Sequence, residues 1–400
     1  MNQTIMYTRD SDFKCIKCGD QKGLIIITIL VLFFSMCFEG YYIYCCYWFN
    51  RIIHEQKEES INFINKYVFL NVLTFYFQIL SIVLTIDETL PYYINYIFSF
   101  IGNPTRVLLY YNKCLFIDLN YENYVYMELA FISSVLILKL AFIFCGLLLQ
   151  KYFFHVEINR NIIVGILISF CYYEQIGVVE SVFSFFPCEK ILKNYYLVKD
   201  YNFKCYQDGY FFFVGIFSPI LLTIWLLIYP IGFFFLLHKY KKFEFEEITP
   251  PISNVGCYYY IYERKYYYWD VIMNFYKILL VFVSDFLLFD VKTKALSLIL
   301  VIFIFFIIIM RVRPFKEEFK KMNNLMDSAQ ILFLSLIFFS LYARGNEFDI
   351  LMWISEIIIV IINISVTIIS IMSAWFLFKT NIFAALRFLF LFSFESLFFL

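Results

Sequence analysis

The feature that most constrains this chain is a series of apolar runs, each long enough or nearly long enough to cross lipid. A bilayer core about 30 Å thick takes roughly 20 apolar residues as a helix. Nine runs approach that length: Leu24–Cys46, Tyr67–Ile86, Tyr126–Leu149, Ile162–Ser181, Tyr210–Leu236, Val271–Phe289, Ala295–Val312, Leu325–Tyr342 and Ile357–Phe378. Ala295–Val312 is short, and Leu325–Tyr342 carries an early Asp327. Helices are required because backbone groups in lipid must be satisfied within the segment. A β-barrel would alternate apolar and polar residues in ten-residue strands, and these runs do not. The expected fold class is therefore all-α: a polytopic transmembrane helical bundle of about nine spans.

Composition removes the competing classes. The chain is 62% hydrophobic and 16% charged, where soluble domains are roughly 45–50% apolar and about 25% charged. That excludes a soluble globular protein of this size. A formal net charge of +0 offers no field for a polyanion, so no nucleic acid is expected as a partner. The partners expected are the lipid bilayer, a second copy of the chain in a homo-oligomer, and inorganic cations.

Three domains are expected. Residues 1–23 form the outer stub of a cysteine-rich module, and residues 24–378 the nine-span region. Residues 379–400 are apolar but interrupted by Arg387 and Glu395; they read equally as an interfacial helix or a partial tenth span. Tyr93–Ile101, after Pro91, is too short to cross and reads as an interfacial or re-entrant turn. Tyr258–Tyr260, Tyr262 and Tyr266–Tyr268, ending at Trp269, read as an aromatic belt at headgroup level rather than a ligand pocket.

Two signals orient the chain. Lys239, Lys241 and Lys242 follow the fifth run, and Arg311, Arg313, Lys316, Lys320 and Lys321 fill the loop after the seventh. Basic residues beside span ends stay cytoplasmic, and alternating spans put both clusters on one side. The chain has 11 cysteines. Of the six in loops, Cys15, Cys18, Cys114, Cys188 and Cys205 fall on the opposite side, and only Cys257 shares the basic side. Disulfides persist in oxidising compartments. The N-terminus is thus expected outside and the C-terminus in the cytoplasm, most simply in the plasma membrane. No cleavable leader precedes Leu24. Either the first span acts as a signal anchor, or the natural chain begins upstream of Met1, which is the expectation preferred.

Candidate sites follow from cost. Cys188 and Cys205 bound one outer loop and are expected to be disulfide-bonded, pinning the outer ends of the fourth and fifth spans. Such a bridge contributes roughly 3 kcal/mol by the chain-entropy argument. Cys15-Ile-Lys-Cys18 lacks the second ligand pair a zinc site needs. Asn2-Gln3-Thr4 is a glycosylation sequon on the outer side, whereas Asn363-Ile364-Ser365 is buried in the ninth span. Charges inside spans face a cavity or a partner. Glu128 and Lys139 lie close to three whole turns apart on one helix face, and Asp270 and Lys277 are related in the same sense. Glu174 and Asp327 complete the intramembrane set. Glu180, Asp285 and Glu356 lie near span ends and are expected to snorkel. The deeper charges either line a water-filled ion path or pair between helices. Pro219, Pro230 and Gly232 interrupt the fifth span and read equally as a gating hinge or a static kink. No nucleotide, hydrolase, metalloprotease or dinucleotide motif is present. No cofactor and no enzyme activity are expected.

Taken in order, several pieces look familiar. Cys15-Ile-Lys-Cys18 resembles the tail of a cysteine-rich ectodomain. Phe77-Gln78-Ile79-Leu80, Pro91 and Cys114 resemble an FLQxL…P…C pattern without its Trp. Cys188…Tyr196-Leu197-Val198-Lys199-Asp200…Cys205 resembles a C…YL..D..C loop, and Tyr229-Pro230-Ile231-Gly232 a YxxG close. Tyr267-Tyr268-Trp269-Asp270…Lys277-Ile278-Leu279-Leu280 resembles YYWE…KxLL, with Asp for Glu. Arg313-Pro314-Phe315…Asn324-Leu325…Ser328 resembles RPY…N-L…S. Together they resemble the multi-span C-terminal region of ciliate and protist surface proteins with EGF- or growth-factor-receptor-like ectodomains, themselves remotely TRP- and polycystin-like. The resemblance implies a cation channel, channel-like receptor or mechanosensory receptor. It departs in the ectodomain, since only 23 residues precede Leu24. A non-conducting surface anchor or adhesion protein is the alternative, and a secondary transporter ranks third because matched inverted halves are not evident.

Overall fold

The computed structural model describes residues 7–9, 15–17, 21–52, 58–85, 99–119, 124–154, 160–206, 210–244, 255–287 and 291–345. Asn2, Asn363, the ninth expected span and residues 379–400 lie outside them. The described chain is overwhelmingly helical, and six of its helices are long and apolar enough to cross a membrane. The protein is an integral membrane protein built as a helical bundle.

Two short strands, β1 (Tyr7–Arg9) and β2 (Cys15–Lys17), pair antiparallel before the first helix. Then come α1 (Gln21–Ile52), α2 (Glu58–Val83), α3 (Pro104–Leu119), α4 (Tyr124–Phe154) and α5 (Arg160–Phe183). A three-stranded antiparallel sheet follows, made of β3 (Cys188–Ile191), β4 (Asn194–Leu197) and β5 (Asp200–Lys204). The fifth span changes helix type along its length. It runs as a π-helix over Phe211–Phe217, α6 (Ser218–Thr223), a second π-helix over Ile224–Ile228, and α7 (Tyr229–Glu244). The last described elements are α8 (Trp269–Val281), closed by a π-turn over Phe282–Phe286, then α9 (Val291–Val312) and α10 (Lys320–Gly345).

Four of the six long apolar elements face outward. Leu138 and Leu148 on α4, Leu300 and Phe303 on α9, and Ile224 and Leu227 on the fifth span are all exposed at the bundle's surface. The other two are central: 89% of the apolar window of α2 and 72% of that of α5 is buried, against 17–28% for the rest. A helix wrapped by protein can carry polar side chains that lipid would reject. Asn71, Thr74, Gln78 and Ser81 on α2, and Ser169, Glu174, Gln175 and Glu180 on α5, are accordingly all buried. Serines 169 and 181 satisfy their hydroxyls by donating to the carbonyls of Gly165 and Gly177, one turn back.

Of the eight expected spans that fall in the described residues, two are not among the six. α8 holds 13 residues before its π-turn, and α10 begins with Lys320 and Lys321 and carries Asp327. α9 absorbs the short seventh run and extends it to 22 residues.

The region before α3 shows how local chemistry starts a helix. Asn103 is the N-cap: its Oδ1 accepts from the backbone N–H of Arg106 at 3.2 Å. Pro104 takes the first helical position, where its missing N–H costs nothing. Gly102 lies against the backbone carbonyl of Phe77, where an added Cβ would collide. Gly177 lets α5 approach the same cap, since a Cβ there would sit 2.8 Å from Asn103 Oδ1.

The aromatic segment before α8 corrects the expected headgroup belt. Cys257, Tyr258, Ile261, Tyr262 and Trp269 are buried inside protein. The segment is stitched to the α9–α10 connection by a short antiparallel bridge: Glu263 N–H donates to Pro314 O at 2.8 Å, and Lys316 N–H to Ile261 O at 3.1 Å. Lys316 Nζ stands 3.8 Å over the Tyr260 ring. This plug closes one end of the bundle, and the β3–β5 sheet lies at the other end of the fifth span.

Candidate functional site

Three polar clusters occupy the bundle, and each joins elements distant in sequence. The deepest lies near the middle of α1, α4 and α5. Lys139 Nζ donates to Glu174 Oε1 and lies 3.5 Å from Glu39 Oε2. All three side chains are buried. Thr105 on α3 donates to Glu174 Oε2 at 3.4 Å. A lone charge at this depth costs about 2.5–3.5 kcal/mol on insertion scales. Pairing offsets that cost while locking the three helices in one arrangement. Glu39 is absent from the sequence reading, although a carboxylate inside the first apolar run was visible there.

The second cluster sits where α5 meets the sheet. Arg106 binds the Glu180 carboxylate with two of its guanidinium nitrogens and donates to Ser81 O at 2.6 Å. Asn103 donates to the other Glu180 oxygen at 2.6 Å. Glu180 therefore does not snorkel; it is held inside by Arg106 on one carboxylate oxygen and Asn103 on the other. Arg106 belongs to no apolar run, so nothing in the sequence connects it to position 180. Nearby, Lys199 in the β4–β5 turn donates to Glu128 Oε2 at 2.7 Å and stands over the Phe185 ring at 4.5 Å. Glu128 and Lys139 do share one face of α4, as the spacing predicts, but they meet different partners.

Cys188 and Cys205 close the sheet as a disulfide, with Cα atoms 6.5 Å apart. Tyr210, at the head of the fifth span, places its hydroxyl 3.2 Å from Cys188 Sγ and 3.4 Å from Phe185 O. The bridge thus ties the end of α5 to the start of the fifth span, the geometry expected from the loop.

The third cluster lies toward the aromatic plug. Lys277 Nζ donates to Gln78 Oε1 at 2.9 Å and lies 4.3 Å over the Tyr172 ring. Gln78 in turn donates to Tyr173 O. Asp270 accepts from Tyr262 at 2.8 Å. Asp270 and Lys277 share the interior without bonding one another. Tyr42 donates to Asn71, and Tyr258 donates to Ser169 at 2.9 Å. Burial, reinforced by the Asp270 charge, pushes the Tyr262 hydroxyl well above its ordinary range. Asp327 is elsewhere: it lies in the first turns of α10, 3.3 Å from Arg313, within the basic connection.

The fifth span explains its own irregularity. Each π-helix ends two residues before a proline: Phe211–Phe217 before Pro219, and Ile224–Ile228 before Pro230. A proline ring clashes with the carbonyl four residues back; a wider turn moves that carbonyl aside. Ser218 N–H accordingly bonds Phe213 O, and Tyr229 N–H bonds Ile224 O, both five residues back. Gly232 has open space around its Cα, so no close packing demands it.

Among the described residues, no group of His, Cys, Asp and Glu is arranged to hold a metal ion. Compared with known proteins, the chain matches no family model, no curated protein and no solved structure.

Proposed function

We propose that the chain is a channel-like receptor of the cation-conducting kind, set in the plasma membrane with its disulfide-bonded sheet outside and its aromatic plug and C-terminus in the cytoplasm. The observation that carries this reading is the doubly interrupted fifth span. π-turns recur at functional sites and hinges, and a helix whose hydrogen-bond register is already broken can change register at little further cost. Its outer end is clasped to the disulfide-bonded sheet, and its inner end leads into Lys239 and the basic connection. A pull on the sheet would therefore reach the whole span. The orientation rests on the opposite placement of the disulfide and the basic loops. In this reading α8 and α10 cross as well, and Ile357–Phe378 adds the ninth span. The likeness to the multi-span region of protist surface proteins supports the same class, with inorganic cations as the permeant partner and a homo-oligomer as the assembly.

A second reading has its own support. The deep charges Lys139, Glu174, Glu128 and Glu180 all have partners, and aromatic rings fill the interior between them. A non-conducting surface anchor needs no more than that. Planar-bilayer recording of the reconstituted full chain separates the two. Unitary currents that change in Glu174→Gln, and whose gating changes in Pro219→Ala, support the channel. Silence of the wild-type chain under voltage, tension and pH steps supports the anchor.

A further inference from the structure

We propose that the Glu39 carboxyl group, beside Lys139 and Glu174 at mid-depth, is a proton-binding site that exchanges one proton with bulk water. This goes beyond the receptor reading and holds whether or not the chain conducts.

The argument begins with a count of charges. One ammonium faces two carboxylates, so the fully ionised trio carries one uncompensated negative charge inside the bundle. The geometry says which carboxylate is in excess. Lys139 is committed to Glu174, which also accepts from Thr105. Glu39 has no comparable support: both its oxygens are buried and neither has a hydrogen-bond partner among the described residues, the ammonium lying 3.5 Å from Oε2. One turn earlier on α1, the buried hydroxyl of Ser35 is also without a partner. Two orphaned polar groups one turn apart mark a place built for something more than packing. An ionised carboxylate without donors is among the costliest groups to bury, and intramembrane carboxyls commonly relieve that cost by taking a proton.

Among the described residues, the groups facing Glu39 do not supply the missing charge. They are Lys139 from α4, and Glu174, Cys171 and Tyr173 from α5. α3 brings Thr105, and α2 meets α1 further along, at Tyr42 and Cys46. Lys139 is the one cation among them. A metal ion is a poorer occupant than a proton, because the ammonium already stands within 3.5 Å of the site. The exchange balances simply: carboxylate plus a proton from water gives the neutral acid, and the reverse step returns it.

Infrared difference spectra of the full chain in phosphatidylcholine nanodiscs, between acidic and alkaline buffer, test this. Among the carboxyl bands that appear with acid, one is expected to shift in heavy water, to be lost in Glu39→Gln and to be kept in Glu180→Gln. Lys139→Met should bind one proton more and show a second band. The unmutated chain gives an independent reading. Dicyclohexylcarbodiimide, which attacks protonated carboxyls in apolar surroundings, should label Glu39, less so at alkaline pH and equally in sodium and choline buffers. Carboxyl bands that are all unchanged in Glu39→Gln overturn the proposal, as does labelling confined to other carboxyls. Sodium-dependent protection would overturn it in favour of an alkali-cation site.

Discussion

Single residues carry costs that can be measured directly. Leu192 occupies the β3–β4 turn with φ 56° and is almost wholly exposed. An L-residue pays roughly 1–2 kcal/mol in the left-handed region, and this side chain packs on nothing described. Leu192→Gly should therefore raise the stability of the sheet by about 1 kcal/mol, while Leu192→Ala leaves it unchanged. Thermal melting in detergent distinguishes them, and equal melting of all three chains would refute the strain. Cys257 makes the opposite point. It is fully buried, its N–H donates to Asn50 Oδ1 at 2.8 Å, and Asn50 Nδ2 lies 3.7 Å from its sulfur. Burial, then the neighbouring Cys46 thiol, pushes the Cys257 thiol well above its ordinary range. It stays protonated where an ordinary cysteine would be reactive. Maleimide should fail to modify it in the folded chain even at mildly alkaline pH, and should modify it once the chain is unfolded.

At the scale of elements, α4 is the informative helix. It faces outward along most of its length, yet two inward charges fasten it, Glu128 to the sheet and Lys139 to the trio. The sheet is therefore coupled by one helix to the middle of the bundle. Lys199 is about a quarter exposed while Glu128 is buried, so solvent weakens the pair without abolishing it. A double-mutant cycle of Glu128→Gln and Lys199→Gln should give a coupling of roughly 1 kcal/mol. A coupling indistinguishable from zero would mean that the sheet rests on α4 without holding it.

The described bundle is organised around α2 and α5, and the two lysines buried among the described residues differ in how they are satisfied. Lys139 sits between carboxylates, whereas Lys277 is met by an amide oxygen and aromatic faces. Removing one partner of a buried ion pair costs about 3–5 kcal/mol, because the charge left behind is uncompensated. Removing Lys277 leaves no carboxylate that it was bonding. Lys139→Met should destabilise the chain by about 3 kcal/mol and Lys277→Met by less than about half that. Denaturant titration in mixed micelles checks the ranking. Equal losses would mean that Asp270 depends on Lys277 across the interior.

How much was legible in advance follows the physics of each feature. The helices, six of them long and apolar enough to cross a membrane, are written in linear order. Lipid allows few backbone solutions and charges the same penalty wherever a polar residue falls. The Cys188–Cys205 bridge was legible for a related reason, since both ends lie in one loop. The partners of the buried charges were not: Lys139 with Glu39, Arg106 with Glu180 and Lys199 with Glu128 each join positions at least 71 residues apart. Nor could periodicity tell that the tyrosines before Trp269 turn inward, because an aromatic ring suits a headgroup layer and a protein core equally well. Lipid as solvent decided that these segments are helices; only their packing, which sets who faces whom across the bundle, decided which charges are neutralised and which carboxyl is left over.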